Sequence, residues 1–305
     1  MQNPDLTPEE ALYINNYFSS EARKQKLYVL RRFEKEAGLP PGQLISLAPE
    51  EYVKVMQRVV QKYVARGKIG LAKEMQNVAK TFYAVNTRTR IQLLPSEKVV
   101  YVPPLEKHVP SVAEVRAMAK AAYTTSRGTA KWRNRAIILC LLASGVRVGC
   151  LVKWDWQLLK DEIKRDWAVL RITRRYDTKI KAPYYTFLAP WALHALRSYV
   201  ARRVQEGWTP QDQDPVFVAK NGKPLKAKHV RRMIKRVGMQ VLGVPTTPHA
   251  IRRTFNNAVA RSGLTFEEKE LLMGHKLPGV AQHYFDFSRL DRLLNAYKNI
   301  NWDAF

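Results

Sequence analysis

The chain has 305 residues, room for two domains of ordinary size, each with its own core. Its apolar content of 46% is that of a globular protein and excludes a disordered one. Lys and Arg number 52 against 26 Asp and Glu, a net charge of +26, far beyond what solubility needs, and this points to a polyanionic partner, most simply nucleic acid. The two cysteines, Cys140 and Cys150, lie in apolar sequence, so a disulfide framework is not expected and a reducing, intracellular setting is the default. There is no Cys/His cluster at zinc spacing, no run of about 18 apolar residues and no signal-peptide pattern at the start. A soluble, cytoplasmic protein without a membrane partner is expected.

Residues 1 to about 105 read as mostly helical. Thr7-Pro8-Glu9-Glu10 marks a helix start, with Thr as N-cap and Pro in the first turn. Residues 20–37 are predicted to form a basic amphipathic helix with Leu27, Leu30 and Phe33 on one face, ended by Gly38 and a Pro40-Pro41-Gly42 turn. A third helix starts at Pro49, with Tyr52, Val55, Met56 and Val59 at helical spacing. After Gly67 and Gly70 a fourth covers 71–85, with Leu71, Met75, Val78 and Phe82 inward. Four such helices are expected to bury their stripes as a small bundle. Lys54, Arg58, Lys62, Arg66, Lys68 and Lys73 either face DNA or form a solvated surface. From about residue 87 to 110 helical periodicity is lost, and basic residues alternate with Pro95, Pro103, Pro104 and Pro110, as in a linker.

The second domain is taken as 106–305. Ser111 and Glu114 have capping-box spacing. Residues 131–144 give a nearly all-apolar helix that must be buried, and Gly145 stops it. Arg147 follows at once. A side chain leaving the end of a buried helix is held rigidly, and an arginine there is costly unless it meets an anion or an acid. Residues 153–188 read as strands, with VLRI and YTFL as a β-hairpin around a loop holding Lys179 and Lys181. A helix over 190–206, a short strand VFVAK and a very basic helix over 225–241 come next. The basic helix either lies along a DNA groove or is a basic surface.

The stretch Pro248–Tyr284 carries the chemistry. Thr247 can cap a helix with Pro248 at its first position, which puts His249 in a first turn where free N–H groups favour an anion. His249 and Arg252, three apart, share one helix face. Gly274-His275 follows a short apolar run, and Tyr284 comes nine residues after His275. An Arg and two His suit the non-bridging oxygens of a phosphodiester, and a Tyr oxygen can attack phosphorus. A Tyr packed at a helix end is the plain alternative, and Tyr297 is the next candidate nucleophile.

His249-Ala-Ile-Arg252, Leu272-Met-Gly-His275 and Tyr284 together resemble the catalytic end of the tyrosine recombinases, the family of phage integrases and Xer-type recombinases. The family also carries an Arg in a stretch like Ala143-Ser-Gly-Val-Arg147-Val-Gly-Cys-Leu151, and a lysine in the hairpin, for which Lys179 fits better than Lys181. One position departs from the pattern. Three residues after the Arg the family usually has an acid, and here stands Cys150, so the first Arg and the His must be oriented by something else.

The resemblance implies a mainly α fold with a small β-hairpin (α+β), a helical core-binding domain over 1–105 and a catalytic domain over 106–305. It implies a site-specific recombinase in which Tyr284 forms a 3′-phosphotyrosyl link, Arg147 and Arg252 hold the phosphate, His249 and His275 assist, and Lys179 protonates the leaving oxygen. Double-stranded DNA and a homotetramer assembled on it are the implied partners, with no cofactor, metal or small-molecule substrate. The alternatives are type IB topoisomerase-like relaxation or resolution, and a DNA-binding accessory protein that has lost catalysis.

Overall fold

Proline and capping residues set where most of the helices begin. The computed structural model describes residues 6–17, 20–100, 108–180, 182–275 and 290–302. The chain divides into two compact units, Met1–Leu105 and Glu106–Phe305.

The first unit holds α1 (Pro8–Ile14), α2 (Ser20–Ala37), α3 (Pro41–Ser46), α4 (Pro49–Ala65) and α5 (Ile69–Thr87). Thr7 and Glu10 close a capping box on α1. Leu30, Phe33, Tyr52, Met56, Val59, Met75 and Phe82 are fully buried in one core. Leu27, Val55 and Leu71, at the edges of the expected stripes, are only half-buried.

Two features differ from the sequence reading. The Pro40-Pro41-Gly42 turn is the start of α3, because Pro41 sits where its missing N–H costs nothing and Leu44 gains full burial. Residues 88–100 are not a free tether. Ile91 and Leu93 are buried in the same core, and the Glu97 carbonyl accepts hydrogen bonds from Gln57 and Gln76 at 2.8 and 2.6 Å.

The second unit contains α6 (Val112–Thr125), α7 (Thr129–Ser144), α8 (Val148–Leu151), α9 (Trp156–Leu159), β1 (Ala168–Ile172), β2 (Tyr184–Leu188), α10 (Pro190–Gln205), α11 (Ala227–Leu242), α12 (Pro248–Ala260), α13 (Phe266–Leu272) and α14 (Leu290–Lys298). The apolar run of α7 makes it the central helix, packed against α6, α10 and α12, with Ile137, Ile138, Cys140, Leu142 and Ala143 fully buried. β1 and β2 pair antiparallel, from Ala168 opposite Leu188 to Ile172 opposite Tyr184. The predicted hairpin is therefore present, within a mainly α fold. The wider strand reading of 153–188 is not met, since Asp155 caps the short helix α9. The expected VFVAK strand is reduced to isolated bridges, Asp155 with Pro215 and Val218 with Pro224. No helix of the described residues is long and apolar enough to cross a membrane.

The first unit stores a titratable strain. Burial raises the Glu34 carboxyl from the ordinary 4.5 to about 7, with the Glu10 charge adding and Arg31 opposing. One of its oxygens is buried without a hydrogen-bond partner. An acid whose folded pKa is raised binds its proton more tightly when folded, so its contribution is complete below 4.5 and is lost as pH rises through about 7. Glu34→Gln is expected to raise the melting temperature of the first unit at pH 8 and leave it nearly unchanged at pH 4, as read from thermal melts across that range. An equal shift at both ends would show that Glu34 does not titrate in this window.

Candidate active site

The site is built on the C-terminal end of α7. A helix leaves its last carbonyls without intrahelical partners, and here three in succession are taken by side chains from three other elements. Tyr297 of α14 donates to the Ala143 carbonyl at 2.8 Å, and Thr186 of β2 to the Ser144 carbonyl at 2.7 Å. The Arg252 Nη1 of α12 donates to the Gly145 carbonyl. Gly145 has φ +60, and a Cβ there would lie 2.1 Å from the Phe255 ring, so only glycine allows α12 to approach this closely.

Arg252 is 5% exposed. Its Nη2 donates to the Met273 carbonyl and faces the His275 Nε2 at 3.0 Å. Burial lowers its pKa, and the nearby charge of Arg147 lowers it further. His275 is placed by the end of α13. Gly274 takes φ +62, and a Cβ on it would meet the Tyr184 ring at 2.5 Å, so the Gly-His turn packs directly on β2. The His275 backbone N–H donates to the Glu270 carbonyl at 3.0 Å, and its Nδ1 lies 2.7 Å from the Glu270 carboxylate. A guanidinium only donates, and a carboxylate only accepts. The Arg252 contact therefore makes Nε2 the acceptor, and the proton sits on Nδ1 toward Glu270. Tyr184 faces the same guanidinium with a buried hydroxyl that lacks a hydrogen-bond partner of normal geometry.

Arg147 is the N-cap of α8, half-buried, and its Nη1 donates to the Asp177 carboxylate at 2.8 Å. The other Asp177 oxygen accepts from the Lys179 backbone N–H at 3.0 Å. Lys179 is exposed in the loop between β1 and β2. Cys150 is buried, and burial pushes its thiol up to about 12, so it carries no charge beside Arg147. Asp177 is thus paired with Arg147, and Arg252 feels the charges of both. Counting Lys179 on the hairpin loop, three cations face the carboxylates of Asp177 and Glu270, a balance that suits an anion.

Arg147, Arg252 and His275 are brought together, with Lys179 on the loop that Asp177 anchors. His249 is exposed in the first turn of α12, whose start is capped by Thr247. Tyr284 and Lys181 lie outside the described residues. Tyr297, the rival nucleophile, is fully buried with its hydroxyl on the Ala143 carbonyl, and burial raises its pKa well above the usual phenol value. It is a core residue.

Sequence reasoning missed Asp177, Glu270 and Tyr184. The only local signals were an acid two residues before Lys179 and another five before His275. Away from this cluster, α11 turns Val230, Met233, Ile234 and Val237 inward and exposes Lys228, Arg231, Arg232, Lys235 and Arg236 as one basic face, with Lys226 exposed at its N-cap. Among the described residues no group of three or more His, Cys, Asp or Glu could hold a metal ion.

Residues 111–289 match the phage integrase family. The chain is 26% identical over 201 residues to the tyrosine recombinase XerD of Halalkalibacterium halodurans, covering 64% of each protein. It spans about half to two-thirds of the length of the first curated relatives it matches. Among solved structures, the Tn1549 transposon integrase in complex with transposon right-end DNA aligns with a TM-score of 0.61 at 15% identity, over 96% of this chain and 99% of that one. A lambda integrase tetramer bound to a Holliday junction aligns with a TM-score of 0.59 at 14% identity, over 91% and 77%. At these identities the two structures support the fold.

The His275 tautomer can be read directly. Long-range nitrogen–proton NMR spectra of histidine-labelled protein near neutral pH are expected to show a protonated Nδ1 and a bare Nε2 for the signal lost in His275→Asn. A proton on Nε2 instead would contradict the Arg252–His275–Glu270 arrangement.

Proposed function

The chain belongs to the phage integrase family, and on that premise we propose that it is a site-specific DNA recombinase that cleaves and rejoins DNA through a 3′-phosphotyrosyl intermediate. What carries the reading is the meeting of Arg252, Arg147 and His275 at one buried helix end, with Arg147 paired to Asp177 and close enough to Arg252 for their charges to interact. Arg147 and Arg252 hold the two non-bridging oxygens of the scissile phosphate. Each is worth roughly a hundred- to a thousand-fold in rate, the usual effect of one donor to a developing oxyanion.

The Tyr284 oxygen bonds to phosphorus while the bond to the 5′-oxygen breaks. His249 assists removal of the tyrosine proton, and His275 hydrogen-bonds the phosphate once its Nε2, here an acceptor toward Arg252, carries a proton. Lys179 gives its proton to the leaving 5′-oxygen. Tyrosine has an ordinary pKa near 10, so it attacks only where anion stabilisation and a proton acceptor are at hand. The tyrosyl phosphodiester keeps the energy of the original bond, so a second strand's 5′-hydroxyl reverses the step and no nucleotide is consumed. Double-stranded DNA is the substrate, and four subunits joining two duplexes form the working assembly. The first unit is a core-binding domain, the second is the catalytic domain, and the protein works in the cytoplasm.

Covalent trapping tests this. Duplexes selected from a random pool for binding are nicked to make suicide substrates and incubated in EDTA with wild type and Tyr284→Phe, then run on denaturing gels. A protein–DNA adduct from wild type alone is expected. Tight binding with no adduct from either would overturn strand transfer, and an adduct from both would overturn the choice of nucleophile.

Binding should also weaken steeply with salt. If about six or more phosphates are neutralised, affinity falls about a thousand-fold or more between 50 and 200 mM salt. A flat response in a fluorescence-anisotropy titration would remove DNA as the partner.

A further inference from the structure

Arg147 needs an acid to hold it, and the chain does not supply one from its own helix. The residue three positions on is Cys150, 1% exposed and uncharged. The acid comes instead from the hairpin loop. Asp177 has only 4% of its side chain exposed, yet both its oxygens are used, one by the Arg147 Nη1 at 2.8 Å and the other by the Lys179 backbone N–H at 3.0 Å. Its own backbone N–H donates to the Thr173 carbonyl at 3.0 Å, which fixes where the carboxylate starts from.

We propose that Asp177 is the positioning residue of the site. It aims the Arg147 guanidinium and sets the loop that carries Lys179, doing from the hairpin what an acid at position 150 would do from α8. The proposal rests on the recombinase reading above.

The geometry explains why a carboxylate is required. Two donors converge on Asp177 from different elements, α8 and the hairpin loop. A carboxylate accepts from both, whereas an asparagine amide has one acceptor oxygen and turns a donor toward the second partner. The mispaired group is buried, so either Arg147 or the Lys179 backbone must move. Displacement of a phosphate-binding group by about 1 Å is enough to slow a positioned reaction by about a hundred-fold. The same pair couples the two sides of the scissile phosphate. Arg147 serves the non-bridging oxygens, Lys179 serves the leaving 5′-oxygen, and one carboxylate ties them to a common origin.

The experiment uses the full chain and the nicked suicide duplex, measuring single-turnover adduct formation at saturating protein and, separately, duplex affinity. Asp177→Asn is expected to lower the cleavage rate about a hundred-fold with affinity within about threefold of wild type. Cys150→Glu added to Asp177→Asn is expected to restore at least tenfold of that loss, because it returns a carboxylate beside Arg147. A purely structural role for Asp177 predicts the opposite, since a buried glutamate in place of a cysteine would only add damage.

Asp177→Glu keeps the charge but lengthens its reach. It is expected to fold and to cleave about tenfold more slowly, and it carries the test should Asp177→Asn melt below the assay temperature. Wild-type cleavage by a folded Asp177→Asn or by Asp177→Glu would overturn the proposal, as would failure of Cys150→Glu to restore a folded, slow Asp177→Asn. A wild type that forms no adduct overturns the recombinase reading, and the inference falls with it. A wild type that cleaves beside an Asp177→Asn that keeps pace overturns the inference alone.

Discussion

The second unit depends on how the C-terminal end of α7 is satisfied. The buried end of α7 cannot leave its last carbonyls to water, so they must find donors within the protein. Tyr297, Thr186 and Arg252 supply them from α14, β2 and α12. The same three hydrogen bonds draw the hairpin, the helix bearing His249 and Arg252, and the last described helix onto one point. A cation at the end of a helix is also favoured by the partial negative charge there. Arg252 is therefore both a cap for α7 and a charge aimed at the site, and its burial follows from the first role.

The electrostatics follow from that packing. Burying a guanidinium costs free energy unless its N–H groups find acceptors, and Arg252 directs three of its five at two carbonyls and an imidazole rather than at a carboxylate. Carbonyl partners leave its charge unneutralised. Arg147, less buried, takes the one acid. The second acid of the neighbourhood, Glu270, is spent on the far side of His275. With Lys179 counted on the hairpin loop, the hydrogen-bonded cluster keeps a positive balance of three cations against two acids, which suits an anion.

The glycines of this region act through space as much as through backbone freedom. At Gly145 and Gly274 the φ values are left-handed, and each position also has an aromatic ring where a Cβ would go, Phe255 in one case and Tyr184 in the other. Gly145, closing α7 two residues before Arg147, and Gly274, directly before His275, each allow two elements to close on each other. That contact brings Arg252 and His275 within 3.0 Å.

Much of this was legible in the sequence, because short-range periodicity and capping are local properties. The apolar run of α7 had to be buried, VLRI and YTFL fitted a hairpin, and Thr247-Pro248 suited a helix start with His249 in its first turn. The spacing of His249, Arg252, Gly274-His275 and Tyr284 suited chemistry on a phosphodiester and carried the resemblance to the tyrosine recombinases. What the sequence left open was contact across long separations. Asp177 is 30 residues from Arg147, and Gly145 is 107 residues from Arg252. Nothing local marks Asp177 as a partner of Arg147, and nothing near Tyr297 says that its hydroxyl is taken by α7. Even the extent of the first unit's core, which takes in Ile91 and Leu93, was hidden by a stretch with no periodicity. Local sequence determined which elements form and which side chains share a face. The tertiary structure decided which charges are paired and which are left for a ligand, because pairing depends on burial and distance between segments far apart in the chain.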